Sequence, residues 1–169
     1  VMIHVDLPVA LKEIRRVPYG PGLASAELVE FLAFGGFRKG EAAHITWADC
    51  DFEKGEIRRV PMIPDMRRLL EALRKQREQA KPEDAVMRVK ECQGAINRAC
   101  RKLSIRRFTH HDLRHLFATR CIESSVDIPT VSRWLGHKDG GALAMKVYGH
   151  LRDTHSVNMA QKVTFGEKN

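Results

Sequence analysis

The stretch from Thr109 to Tyr148 is divided by its own punctuation into short helices, and this limits what the chain can build. Thr109 followed by Asp112 is a capping box, which fixes the start of one helix. Asp127 is placed to cap a second helix, with Ile128, Val131 and Leu135 inside and Gly136 as its stop. Gly140-Gly141 then interrupts the chain before a last helix that bears Met145, Val147 and Tyr148. On the first helix, His111 and Arg114 are three residues apart and share a face, with His115 beside them. Leu113, Leu116 and Phe117 point the other way, toward a core. Polar groups gathered at a helix start, opposite an apolar face, suit a site at the edge of a packed domain.

Upstream, the breakers Pro8, Pro18, Pro21, Gly20 and Gly22, with the basic pair Arg15-Arg16, read residues 1–24 as a linker or arm. A domain over 25–169 follows, with a C-terminal tail from about residue 153. Ser25 is the expected N-cap of a helix carrying Leu28, Val29, Phe31 and Leu32, ended by Gly35-Gly36. Arg38 then sits at a corner before a second short helical turn. Ile45-Thr46-Trp47 reads as a first strand, Asp51 to Glu56 as a hairpin turn, and Ile57 to Ile63 as the returning strand. Asp65 is expected to cap a helix from Met66 to about Ala80, its stripe Met66, Leu69, Leu70, Leu73 opposed by a basic face read as solvated. Another helix is expected over about Glu91 to Leu103. The fold class is therefore mainly α with one small antiparallel β-sheet (α+β).

A chain of 169 residues can bury a real core, and 43% hydrophobic content argues against disorder. The net charge of +8 makes a polyanion such as nucleic acid the leading partner, and a basic solvated surface the bland alternative. Cys50, Cys92, Cys100 and Cys121 are widely spread, which fits reduced structural thiols and neither a zinc site nor a disulfide framework. No apolar run reaches membrane-spanning length, so the expected location is the cytoplasm, close to nucleic acid and not in a membrane.

Two arginines, two histidines and a tyrosine suit phosphoryl transfer that needs no metal and no cofactor. Arginine holds phosphate oxygens with a rigid, permanently charged fork, and it stabilises the extra charge of a pentacoordinate phosphorus. A tyrosine attacking phosphorus conserves the bond energy in a covalent intermediate, and histidine moves the proton. Each residue alone has an ordinary structural reading. An H-x-x-R pair, a Leu-Gly-His helix stop and a half-buried tyrosine are all common in non-catalytic settings; the order and spacing of the five carry the chemistry.

Gly36-Phe37-Arg38-Lys39-Gly40-Glu41, His111-Asp112-Leu113-Arg114-His115-Leu116-Phe117-Ala118-Thr119, Leu135-Gly136-His137 and Tyr148-Gly149-His150 together resemble the catalytic domain of the tyrosine recombinases, the phage integrase family. The resemblance covers about Ser25 to Leu151. It implies the DNA breaking-rejoining catalytic fold, with the family's arginines on Arg38 and Arg114, its histidines on His111 and His137, and its nucleophile on Tyr148. Glu41 matches an acidic position that supports the first arginine, and His115 is a supporting neighbour. Tyr19, the other tyrosine, lies in the expected linker.

The resemblance further implies a site-specific recombinase or integrase that forms a 3′-phosphotyrosyl link on double-stranded DNA. It implies a monomer alone and a homotetramer on DNA, with residues after Tyr148 docking on a neighbour. A type IB topoisomerase and a DNA-binding module that has lost catalysis are the alternatives. Two departures stand out. The family's lysine belongs to a hairpin between its second and third strands, but here no lysine lies between Lys54 and Lys75, so Lys54 is the stand-in candidate and the hairpin reads as shortened or missing a segment. The family's separate N-terminal clamping domain also has no counterpart before Ser25, so the sequence reads as a catalytic fragment.

Overall fold

The computed structural model describes residues 5–17, 20–139 and 141–166, with the backbone alone at 152–155. Pro18, Tyr19 and Gly140, singled out in the sequence, lie outside the described residues. The chain forms two compact units, residues 1–117 and 118–169, with the division falling inside one helix. The described residues are mainly helical and carry one small antiparallel sheet, as expected.

A helix lies within the stretch expected as a linker. Leu7–Arg15 is a helix, α1, capped by Asp6, whose carboxylate accepts from the Val9 N–H at 3.2 Å. Pro8 falls in its first turn, where a missing N–H costs nothing, so this proline starts a helix where the sequence suggested a break. Ala10, Leu11 and Ile14 are buried, and α1 packs on two later helices of the unit. The next helix, α2 (Gly22–Gly35), starts ahead of Ser25. Ser25 is buried in its first turn and caps nothing. Apolar residues occupy nearly every side of α2, the signature of a helix at the centre of a core.

The expected first strand at 45–47 is reduced to a single bridge between Thr46 and Ala85. The Asp49 carboxylate accepts from the Thr46 N–H at 2.9 Å and curls Trp47–Asp49 into a 3₁₀ turn. The sheet is a meander of β1 (Cys50–Asp51), β2 (Glu56–Ile57) and β3 (Val60–Pro61). Ile57 pairs with Val60, leaving Arg58 and Arg59 as a two-residue turn with φ of 47° and 70°. Positive φ at both positions is the geometry of a tight hairpin normally built from Asn-Gly. The single strand expected over 57–63 is therefore two strands and a turn. Arg58 braces the turn through the Asp49 carboxylate at 3.0 Å and the His44 carbonyl at 2.8 Å.

Helix α4 (Pro64–Gln76) follows α3 (Lys39–Ala42) in helix order. It starts before Asp65, with Ile63 at the cap position and Pro64 as the first residue, and it stops short of Ala80. Met66, Leu70 and Leu73 are buried as the stripe requires, and α4 packs on α2. Its basic face is largely occupied. Arg68 pairs with Asp65, Arg67 reaches the Phe52 carbonyl at 2.9 Å, and Arg74 lies over the Trp47 ring at 5.3 Å. Arg77 leaves the helix to meet the buried Glu27 at 2.7 Å, where Arg88 also binds at 2.8 Å. Helix α5 (Gln93–Leu103) completes the unit's core through Ala95, Ile96, Ala99 and Cys100, and α6 (His110–Glu123) follows it.

In the second unit, Asp127 caps α7 (Ile128–Trp134) by accepting from the Thr130 N–H at 2.9 Å. Gly136, at φ 73°, ends it. The His137 N–H bonds the Ser132 carbonyl and the Gly136 N–H bonds the Arg133 carbonyl, both at 3.0 Å, which is a Schellman closure. Asp139 starts α8 (Ala142–Tyr148) by accepting from the Leu143 N–H at 2.6 Å and the Gly141 N–H at 3.1 Å. A 3₁₀ turn at Gly149–Leu151 leads to α9 (Arg152–Ala160). No helix among the described residues is long and apolar enough to cross a membrane.

Candidate active site

The end of α2 determines where Arg38 stands. A Cβ on Gly35 would meet the Phe37 ring at 2.5 Å and the Met66 methyl at 2.8 Å, so only glycine allows Phe37 to fold back here. Gly36 turns the chain at φ 67°, and Phe37 stacks on Phe31 with ring centroids 5.2 Å apart. Arg38 follows in extended geometry at the head of α3. The Glu41 carboxylate accepts from the Arg38 N–H at 2.8 Å and from its Nη1 at 2.9 Å. Both side chains are substantially exposed, so this pair contributes little stability; what it does is restrict the guanidinium's direction.

The head of α6 supplies the facing wall. The Asp112 carboxylate accepts from the Thr109 N–H at 2.8 Å, and the Asp112 N–H donates back to the Thr109 hydroxyl at 3.3 Å, as the capping box requires. Arg114, two residues further along, is only 5% exposed, and its Nη1 donates to the Gly36 carbonyl at 2.7 Å. A cleft of roughly 430 Å³ is lined by Arg38, Lys39, Thr109, His110, His111 and Arg114, together with Phe37 and Gly40. Within the first unit, three of the five expected chemical residues, Arg38, His111 and Arg114, thus share one cleft. Arg38, Lys39 and Arg114 put three cations around a concave surface, which concentrates positive potential and favours an anion with several oxygens, such as a phosphate.

The histidines of α6 divide by environment. His115 crosses His111 edge to face, with centroids 4.4 Å apart. Burial, with the His111 ring beside it, holds His115 below the usual imidazole range, which keeps it neutral near pH 7. Burial likewise lowers His110, whose Nε2 accepts from the Cys92 N–H at 3.2 Å. That bond leaves His110 a structural strut in the cleft's lining. Burial also pushes the Cys50 and Cys92 thiols up to about 12 and Cys121 to about 11, so these free cysteines stay protonated and unreactive.

The remaining two expected residues belong to the second unit. His137 is half-buried just after the α7 stop. Tyr148 is the last residue of α8 and is 6% exposed. Lys54 lies in the exposed turn between β1 and β2, where its N–H caps the Asp51 carboxylate at 2.9 Å, and it is not among the cleft-lining residues. The cleft instead holds Lys39, which stood inside a quoted motif without a role, and His110, which the motifs did not include. Their only signal was adjacency to Arg38 and His111. Among the described residues, no group of three or more His, Cys, Asp or Glu is placed to hold a metal ion.

Residues 19–155 match the model of the phage integrase family. The tyrosine recombinase XerC of Xanthomonas axonopodis pv. citri is 26% identical over 151 residues, covering 79% of this chain and 49% of that protein. The tyrosine recombinase XerD of Lacticaseibacillus casei is 41% identical over 54 residues, 32% of this chain and 18% of that protein. The chain thus spans half the length, or less, of the curated relatives it matches. Among solved structures, XerA recombinase superposes with a TM-score of 0.67 at 23% identity, covering 96% of this chain and 63% of that one. The XerH site-specific recombinase in a post-cleavage complex with its palindromic difH substrate gives 0.63 at 20% identity, covering 95% and 53%. These likenesses establish the fold.

Proposed function

The chain belongs to the phage integrase family, and from that premise we propose that it is the catalytic part of a site-specific DNA recombinase. In this reading Arg38 and Arg114 clamp the non-bridging oxygens of a scissile phosphate, and His111 and His137 hydrogen-bond it and carry protons. Tyr148 attacks phosphorus to give a 3′-phosphotyrosyl link and a free 5′ hydroxyl. A 5′ hydroxyl from a partner strand then reverses the step. The observation that carries the reading is the cleft where Arg38, His111 and Arg114 meet, with Arg114 buried and braced on Gly36. Supporting residues are Glu41 on Arg38 and His115 on His111.

The partner in this reading is double-stranded DNA, a reading supported by the likeness to XerH site-specific recombinase bound to its difH substrate, and the assembly is a homotetramer on DNA formed from monomers. The working compartment is the cytoplasm, on the nucleoid. The test is a pool of nicked duplexes of random sequence, resolved under denaturing conditions to recover any covalent protein–DNA adduct. The wild-type chain forms an adduct and Tyr148→Phe forms none; an adduct surviving Tyr148→Phe would overturn the assignment. A DNA-binding module without catalysis is the second reading, favoured by the position of Lys54 in an exposed turn apart from the cleft-lining residues. Salt-sensitive duplex binding with no adduct from the wild-type chain would select it.

A further inference from the structure

Cleavage of a phosphodiester in the cleft moves two protons, and two groups must handle them. One proton leaves the attacking phenol and one must arrive on the departing 5′ oxygen, which is a poor leaving group as an alkoxide. Arginine cannot supply that proton, because its guanidinium does not deprotonate in proteins. This removes Arg38 and Arg114. His110 is committed to the Cys92 N–H and held neutral by burial. His111 and Lys39 are left among the ionisable residues that line the cleft.

Resting on the phosphoryl-transfer reading above, we propose that Lys39 is the general acid that protonates the leaving 5′ oxygen. Lys39 is exposed at the first position of α3, immediately after Arg38, and lines the cleft wall. The neighbouring carboxylate, Glu41, is taken by Arg38, and no ion pair holds Lys39 among the described residues. Burial dominates the titration of His110 and Cys92, lowering the first and raising the second, and the Lys39 charge acts on both as a smaller influence, which places its ammonium near them. An ammonium has three protons to give and no acceptor function, which suits a donor role. Gly35 and the Phe37 stack fix the backbone that carries Arg38 and Lys39 together, so phosphate clamp and acid are positioned by one packing arrangement.

The step balances. The Tyr148 Oη–P bond forms as the P–O5′ bond breaks, and the bonding pair leaves with O5′. The Tyr148 hydroxyl proton passes to His111, and a proton passes from Lys39 Nζ to O5′. The reverse transfer restores both groups, so no oxidant, reductant or nucleotide is consumed.

The experiment uses the full chain and the duplex recovered from the random pool, synthesised in two forms. One has the ordinary bridging oxygen at the scissile 5′ position and the other has sulfur there, since a thiolate leaves without protonation. Lys39→Ala slows adduct formation on the oxygen substrate by about 10²–10⁴-fold and stays within about tenfold of wild type on the sulfur substrate. An equal loss on both substrates would assign Lys39 to binding or folding and overturn the proposal, as would no loss on either. A Lys54→Ala variant run in parallel keeps wild-type rates on both; a sulfur-rescued defect there would move the acid to Lys54. If the wild-type chain forms no adduct on either substrate, the strand-transfer reading itself has failed.

Discussion

Arg114 donates through Nη1 to the carbonyl oxygen of Gly36 at 2.7 Å, across 78 residues of sequence. Gly36 is two residues before Arg38, so one hydrogen bond ties the second arginine of the cleft to the chain turn that sets the first. The guanidinium is buried at 5% exposure and spends one donor on this brace. A planar fork can brace with one edge and present another; a lysine ammonium cannot hold that geometry.

Arg114→Lys is therefore expected to keep the fold and lose the reaction. Adduct formation on a nicked duplex should fall about 10²–10³-fold, the range for losing one preorganised charge-stabilising donor. Duplex affinity at fixed salt should change far less. Single-turnover kinetics beside a binding titration separate the two, and a loss confined to affinity would contradict a transition-state role.

Glu41→Gln separates orientation from stability. The pair with Arg38 is exposed, so its removal should cost less than about 1 kcal/mol in a denaturant melt. A guanidinium released from its preferred direction should slow adduct formation by about 10- to 100-fold. Identical rates in variant and wild type would show that Arg38 needs no holder.

Gly35→Ala tests the packing beneath the cleft. The added methyl meets the Phe37 ring well inside contact distance, and overpacking of this kind costs about 1–3 kcal/mol. Thermal melting should fall accordingly. Phe37→Leu in the same chain should recover part of the loss, because the two residues touch. Additive losses in the double variant would place the strain elsewhere.

Stability should rise with pH through the imidazole range. His110 and His115 titrate lower in the folded chain than in the unfolded one, so the unfolded chain binds more protons in that window. Their contribution is fully present above an unfolded value of about 6.5 and is lost as pH falls through the folded values. Melts between pH 5 and pH 7.5 should show the slope, and His115→Gln should flatten it. A slope of opposite sign would mean that these rings gain protons on folding.

How much was legible follows the range of each interaction. Thr109 with Asp112, Asp127 with Thr130, and the Gly136 stop are contacts within a few residues, and the sequence announces all of them. The buried stripe of α4 was equally readable from its period. The Arg58-Arg59 turn was not, because arginine is not a turn residue and the positive φ values are maintained by Asp49 and His44. Helix α1 was hidden by Pro8, a breaker in general and a helix starter in the first turn. The α4 arginines looked solvated, yet one of them closes on a glutamate buried 50 residues away.

By itself, then, the sequence determined the helix boundaries around the motifs, the residue types for phosphate chemistry and the family they point to. Tertiary structure decided that Arg38 and Arg114 share a cleft through Gly36, that His110 is a strut, and that Lys39, not Lys54, lines the cleft wall. The physical reason is chain closure. Local hydrogen bonds form at little entropic cost and leave a pattern in the sequence, whereas a contact between residues far apart exists only after a core has paid to bring them together.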